Sequence, residues 1–291
     1  MRIVIFGGSG MLGHRLWMDL SRAHDVWITI RGTPGSVPPL PGVDRSRIRD
    51  DIDALDFDNV IRAFASIQPD LVLNCIGLIK QHPLSADPLS IIEINARLPH
   101  RLSLVCRTAR VRMIHISTDC VFSGRKGQYT EEDIPDAEDM YGRTKLIGEV
   151  RYPHTLSIRT SLIGRELHSR YGLTEWFLRQ RGPIKGYLET IFSGFTTQAF
   201  AKVLLDHVIP NPGLSGVYHV SSEAISKYEL LRLMNDAYGH GIEIQPDAEV
   251  RCDRSLDSTR FRALTGFAPP SWPQMIREMA TDPTPYDEWN R

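Results

Sequence analysis

Met140-Tyr141-Gly142-Arg143-Thr144-Lys145 sets a phenol and an amine four residues apart. On a helix those two side chains share one face. An ammonium beside a phenol stabilises its ionised form, so Tyr141 can give up a proton near neutral pH while Lys145 also holds a sugar hydroxyl. Such pairs also occur on ordinary surface helices. A second motif gives this one a setting. His115-Ile116-Ser117-Thr118-Asp119-Cys120 ends an apolar run in two hydroxyls, and the carboxyl edge of a parallel sheet is where ligands bind. Thr118 there can orient a carbonyl beside Tyr141; the bland alternative is that Ser117 and Thr118 cap a turn.

A third motif supplies the chemistry's partner. Gly7-Gly8-Ser9-Gly10-Met11-Leu12-Gly13 follows the apolar run Arg2–Phe6 and opens a helical pattern. It reads as G-x-G-x-x-G through Gly8, Gly10 and Gly13, and as G-x-x-G-x-x-G through Gly7, Gly10 and Gly13. Glycines are needed where the chain turns sharply, where pyrophosphate nears the backbone and where helix packs on strand. The helix N-terminus then offers free N–H groups and a positive dipole. The next run ends Thr29-Ile30-Arg31-Gly32, with no acid where an NAD site carries one for the ribose. A guanidinium there can pair with a 2′-phosphate. This favours NADP(H), with NAD(H) as the alternative if Arg31 is an ordinary loop residue.

The elements that must position these groups are legible as alternation. Short β-rich runs lie at Arg2–Phe6, Val26–Ile30, Leu71–Asn74, Met113–Ser117, Leu156–Arg159 and Val217–Val220. Helical periodicity lies at Leu12–Ala23, Val60–Ile67 and Ile91–Thr108. Strands alternating with helices predict an α/β fold, a doubly wound parallel sheet of Rossmann type. Thr33–Val43, rich in proline and glycine, predicts a surface loop. Past Gly164 the pattern changes, with helices expected at Thr174–Arg181, Ser193–His207 and Lys227–Tyr238 and a short strand at Gly241–Ile244. The expected division is a cofactor domain of residues 1–163 plus 190–222, and a smaller C-terminal α/β substrate lobe of residues 164–189 plus 223–291.

Composition excludes several classes. With 34 Lys+Arg against 35 Asp+Glu in 291 residues, there is no basic excess for nucleic acid or an anionic membrane. No run approaches the ~20 apolar residues of a membrane span, and the start lacks a signal-peptide pattern. Cys75, Cys106, Cys120 and Cys252 show no metal-ligand spacing, so thiols and a cytoplasmic location are expected, with no metal.

The loop Gly7–Gly13, Asn74, Asn95, Ser117-Thr118-Asp119-Cys120-Val121-Phe122, Tyr129-Thr130-Glu131 and Tyr141-x-x-x-Lys145 together resemble the extended short-chain dehydrogenase/reductases. Lys145-Leu146-Ile147-Gly148-Glu149, Ile158-Arg159-Thr160-Ser161 and Ser193-Gly194-Phe195-Thr196-Thr197 make the chain look most like the dTDP-4-dehydrorhamnose reductase branch. The resemblance is dense over residues 1–165 and thinner as far as Leu256-Asp257-Ser258. It implies that Tyr141 is the general acid, that Lys145 lowers its pKa and binds the nicotinamide ribose, and that Thr118 holds the reacting carbonyl. It implies cofactor contacts at Gly7, Gly10, Met11, Leu12, Arg31, Asp51, Ile52, Cys75, Ile76, Gly77 and Ser117, with Asp53 a rival to Asp51. Asn95 supports the site or is a structural asparagine. Substrate contacts are implied at Thr118, Asp119, Cys120, Tyr141, Leu162 and Arg165. His168, Lys185 and Arg260 are further cations for a diphosphate, and Trp176 reads as packing. Cys120 and Leu162 stand where the branch carries aromatic rings, so the sugar pocket differs in shape.

The activity implied is NADPH-dependent reduction of the keto group of a nucleotide-activated 6-deoxy-4-keto sugar, for surface polysaccharide or a glycosylated product. A nucleotide-sugar epimerase or dehydratase is weaker, because Asp119 is followed by Cys120 and not Glu. A non-catalytic NADP-binding regulatory subunit is the third reading. A homodimer is expected from the resemblance alone.

Overall fold

The computed structural model describes residues 1–289. Its centre is a seven-stranded parallel sheet built from β1 (Arg2–Phe6), β2 (Asp25–Thr29), β3 (Ile48–Arg49), β4 (Leu71–Asn74), β5 (Arg112–Ile116), β6 (Thr155–Arg159) and β11 (Gly216–His219), ordered β11-β6-β5-β4-β1-β2-β3. The chain starts in the middle, runs to one edge, then returns to build the other half. The reversal falls between β1 and β4, and the crevice outside their carboxyl ends is where such sheets bind ligands.

β1 shows why this segment is central. Ile3, Val4, Ile5 and Phe6 are all fully buried. Because side chains alternate along a strand, Ile3 and Ile5 join one core while Val4 and Phe6 join the other. On the first face α1 (Met11–Leu20) inserts Leu12, Leu16, Trp17 and Leu20, beside α7 (Thr197–Val203). On the second, α2 (Phe57–Ile67) brings Phe57, Val60 and Phe64 against Leu98, Leu102 and Cys106 of α4 (Leu98–Ala109). Each fully buried leucine or phenylalanine contributes about 1.5–3 kcal/mol.

β4 and α8 (Lys227–Tyr238) occupy the residues that periodicity predicts. Three segments differ, each for a visible reason. The helix expected from Ser193 starts at Thr197, because β10 (Phe195–Thr196) pairs with β7 (Leu162–Ile163) and Thr196 caps the helix from outside. The strand expected at 241–244 lies later, as β13 (Ile244–Asp247), paired with β8 (Ile184–Tyr187). Gly239 and Gly241 sit at positive φ, and the Asn235 amide holds both the N–H and the C=O of Ile242, so residues 239–242 form a turn. The helix expected at Ile91–Thr108 is α3 (Pro88–Ile91) and α4 joined by a π-helical stretch, Ile92–Arg97.

The remaining strands form small sheets of their own. β9 (Thr190–Phe192) pairs with β12 (Ile225–Ser226) and β14 (Cys252–Asp253). The C-terminal segment returns to α1: the Tyr286 hydroxyl meets His14 Nε2 at 2.9 Å, and Asp282 pairs with Arg15. Among the described residues no helix is long and apolar enough to cross a membrane.

Candidate functional site

Four loops at the carboxyl edge of the sheet converge. The first joins β1 to α1. Gly7 has φ +88°, a conformation that side chains rarely adopt. A Cβ at Gly13 would lie 2.1 Å from the Gly7 carbonyl oxygen, so only glycine lets the helix approach so closely. A Cβ at Gly8 would strike Ile28 of β2. Gly10 differs: a Cβ there meets just the Gly7 oxygen, at 3.3 Å. Gly10 is the N-cap of α1 with no side-chain cap, and the first turn carries no acid. The G-x-x-G-x-x-G frame therefore serves the fold at Gly7 and Gly13 and leaves open backbone at Gly10, where Met11 and Leu12 begin the helix. These residues fit a pyrophosphate.

At the β2 edge Arg31 is exposed. The chain after β3 runs beside it: Asp51, at φ 54°, donates its N–H to the Gly32 carbonyl, and Ile52 donates to Ile30. Asp51 and Ile52 are thus adjacent to Arg31, while Asp53 caps a turn by accepting from the Leu55 N–H.

The third loop leaves β4. Asn95, from the π-helical stretch, grips both sides of Leu78, accepting from its N–H at 2.8 Å and donating to its carbonyl at 2.9 Å. This anchors Cys75-Ile76-Gly77 in place, and a Cβ at Gly77 would lie 3.9 Å from Lys145 Nζ. Both of these Asn95 bonds go to the Leu78 backbone.

The fourth group combines the end of β5 with α5 (Met140–Ile147). Asp139 caps α5 by accepting from the Gly142 N–H. Gly142 packs so tightly that a Cβ would lie 2.2 Å from the Cys120 carbonyl oxygen, which holds Tyr141 against Thr118-Asp119-Cys120. The Thr118 hydroxyl donates to Asp119 Oδ1 at 3.1 Å and accepts from the Cys120 N–H. Burial pushes the Tyr141 phenol up, helped by the neighbouring Cys120; a hydrogen bond with Thr118 opposes it. The phenol is therefore a protonated donor, and the expected lowering by Lys145 is not what this structure shows. Lys145 is buried and donates to the Ile116 carbonyl at 2.7 Å; burial pushes it down to about 8, against the pull of Glu149 and Cys75.

Beneath this surface lies a buried ionic network. Arg159 pairs with Glu149 through two bonds of 2.7 and 2.8 Å, both side chains 1% exposed. The Ser117 hydroxyl donates to the same carboxylate at 2.9 Å, so Ser117 braces the strand end. Arg159 also contacts His219 at 3.2 Å.

The outer candidates separate. Arg165, expected on substrate, is already neutralised by Glu175 at 2.7 Å and Asp287 at 2.5 Å, and stacks on Tyr286; it ties the C-terminal segment down. Lys185 is paired with Asp247 at 2.7 Å. Arg260 lies over Tyr218 of β11, and His168 is exposed near His14. Leu162 is half-buried in β7, packed on the first core. Trp176 is partly exposed on α6 (Leu173–Leu178).

Two cations escaped sequence reasoning. Lys227, at the first position of α8, faces Asp119, Cys120 and Cys252 with its ammonium 4.2 Å from the Phe192 ring, and burial pushes it down to about 8. Arg254 donates to the Phe122 carbonyl at 2.8 Å and faces Asp119 and Cys120. A signal existed for Lys227. A helix's first turn disfavours a positive charge, so a lysine after the capping Ser226 is out of place unless something else needs it. Among the described residues no cluster of His, Cys, Asp and Glu could hold a metal ion.

With this geometry in hand, comparison with known proteins decides the family: the RmlD substrate binding domain matches residues 1–284. The chain belongs to the RmlD substrate binding domain family. Within that similarity, the match to mouse methionine adenosyltransferase 2 subunit beta is 28% identical over 51% of this chain but spans 41% of the mouse protein. A probable dTDP-4,6-dihydroxy-2-methyloxan-3-one 4-ketoreductase from Streptomyces antibioticus is 27% identical, covering 97% of this chain and 95% of that protein. The dTDP-4-dehydrorhamnose reductase of Bacillus anthracis, solved in complex with NADP, superposes with TM-score 0.78 over 96% of this chain and 98% of that one, at 19% identity. The RmlD-family chain thus shares its Rossmann-type α/β fold with that structure over 96% of its length.

Proposed function

We propose that this chain is an NAD(P)-dependent oxidoreductase that reduces the keto group of a nucleotide-activated 6-deoxy-4-keto sugar, with NADPH preferred. The observation that carries the reading is the convergence of Thr118, Tyr141 and Lys145 at one sheet edge with the open backbone of Gly10. Gly7, Gly10, Met11 and Leu12 would hold the pyrophosphate, Arg31 the 2′-phosphate, Asp51 and Ile52 the adenine side, and Cys75, Ile76 and Gly77 the wall toward the nicotinamide. A bound reduced nicotinamide supplies the hydride. Turned from Asp119, the Thr118 hydroxyl would donate to the carbonyl oxygen, and Tyr141, held protonated by burial, delivers the proton to that oxygen, so ketone plus hydride plus proton gives the alcohol. Lys145 is placed to hold the ribose.

Residues 1–163 plus 190–222 would carry the cofactor, and residues 164–189 plus 223–291 would carry the substrate. Asp119, Cys120 and Leu162 would line a sugar pocket in which Lys227 and Arg254 take the place expected of Arg165. The same reading carries the expectations of a cytoplasmic location and a homodimer. A regulatory-subunit reading draws support from the name of the mouse relative, and the intact Tyr141 and Lys145 weigh against it. The test is isotope transfer: with NADPH deuterated at the reactive carbon, a 4-keto nucleotide sugar should gain one deuterium in the product by mass spectrometry. Cofactor binding without transfer to any 4-keto sugar would favour the subunit reading.

A further inference from the structure

Lys145 has two neighbours on β5. Its Nζ donates to the Ile116 carbonyl at 2.7 Å and lies 3.5 Å from His115 Nε2. Which hydrogen stands in the second contact is decided one strand away. The Ile76 N–H donates to Asn74 Oδ1 at 3.2 Å, so the Asn74 amide nitrogen is the atom turned toward His115, where it donates to Nδ1 at 3.1 Å. An imidazole nitrogen that accepts carries no proton, so the neutral ring bears its proton on Nε2. His115 is fully buried and burial keeps it neutral, pushing its pKa well below 6.5. An N–H is therefore aimed at Lys145. A free amine can accept it through its lone pair, whereas an ammonium has none to offer.

We infer that His115, fixed in one tautomer by Asn74, is a positioning residue that presents a hydrogen-bond donor to the Lys145 amino group and so opposes its ammonium form. The inference rests on the reading of this site as one for a nicotinamide dinucleotide, whose ribose the ammonium would hold. Other groups face the pair. Glu149 and Cys75 favour the ammonium, Tyr141 lies one turn before it on α5, and His100 of α4 faces His115. The donor from His115 acts against the first two, so the affinity for a dinucleotide should weaken as pH rises through about 8, where Lys145 loses its proton.

The experiment is a fluorescence titration of the full chain with NADPH between pH 6.5 and 10, locating the pH at which affinity breaks. Asn74→Asp keeps an acceptor for the Ile76 N–H but reverses the His115 tautomer, turning an acceptor toward Lys145. The break should move up by roughly one unit. His115→Phe keeps a ring of similar size and removes the donor without adding charge, so it should also move the break up, by less. A merely structural role would lower melting temperature or affinity and leave the break in place. The Asn74→Asp carboxylate also favours the ammonium by its charge, so the charge-free variant decides: a break that stays put in His115→Phe overturns the inference while NADPH binding stands. Absence of NADPH binding to the unaltered protein at any pH overturns the functional reading, and this inference with it.

Discussion

Two glycines of one loop should fail in opposite ways. A methyl at Gly13 would sit 2.1 Å from the Gly7 oxygen and 2.9 Å from the Gly7 carbonyl carbon and the Gly8 Cα. All three are backbone atoms, and the loop is pinned by the Gly8 N–H bond to Thr29. Relief needs α1 to back away by about 1 Å, lifting Leu16 and Trp17 from a close-packed core. Overpacking of this kind costs about 1–3 kcal/mol, or roughly 3 °C of melting temperature per kcal/mol in a chain of this size. Gly13→Ala should therefore melt several degrees lower. At Gly10 the φ is −71° and the sole contact is 3.3 Å, so Gly10→Ala should lose much less melting temperature than Gly13→Ala, the cost being chiefly the poorer N-cap. Its methyl would stand where a pyrophosphate approaches, and NADPH affinity should fall at least tenfold, about 1.4 kcal/mol. Differential scanning fluorimetry with a binding titration separates the two effects. If Gly10→Ala melts as low as Gly13→Ala, or binds NADPH as the parent does, the division of labour argued for this loop is wrong.

Tyr141→Phe should lower turnover by at least ~10² while leaving NADPH affinity within a few fold, by steady-state kinetics and titration. Glu149→Gln leaves the Arg159 guanidinium buried without its carboxylate, which should cost about 3–5 kcal/mol in urea unfolding; a loss under ~1 kcal/mol would show the pair to be dispensable. His14 and His219 are buried and pushed down to about 4. Their unfolded rings take up protons below pH 6.5 that the folded protein refuses until near pH 4, so stability falls as pH drops through that window, by about 2 kcal/mol per ring at pH 5. Urea midpoints at pH 7.5 and 5 should differ accordingly, and His14→Gln should remove part of the difference.

The sheet was readable because its strands are buried on both faces and stand out as short apolar runs. Leu71–Asn74 is the clearest, closed by a proline and an aspartate on one side and a thiol and glycine on the other. Where partners come from afar, local pattern failed. Nothing near Ser193 announces that Phe195 and Thr196 will pair with Leu162 and Ile163 before the helix can start. Arg165 looked like a free cation because Glu175 and Asp287, which neutralise it, come from helices that fold back onto its loop, Asp287 from 122 residues away. The catalytic trio was legible as motifs, but its support was not: Glu149, Arg159 and Ser117 meet only once β5 and β6 are paired. Lys227 was missed because a lysine in a helix reads as solvated surface, although its place in the first turn was a warning.

The most direct test of the central claim is calorimetric titration with NADPH and NADH, followed by absorbance at 340 nm with a panel of nucleotide-linked 4-keto sugars. NADPH should bind more tightly than NADH, Arg31→Ala should lose that preference, and at least one member of the panel should oxidise NADPH. Failure to bind either dinucleotide would contradict the claim outright.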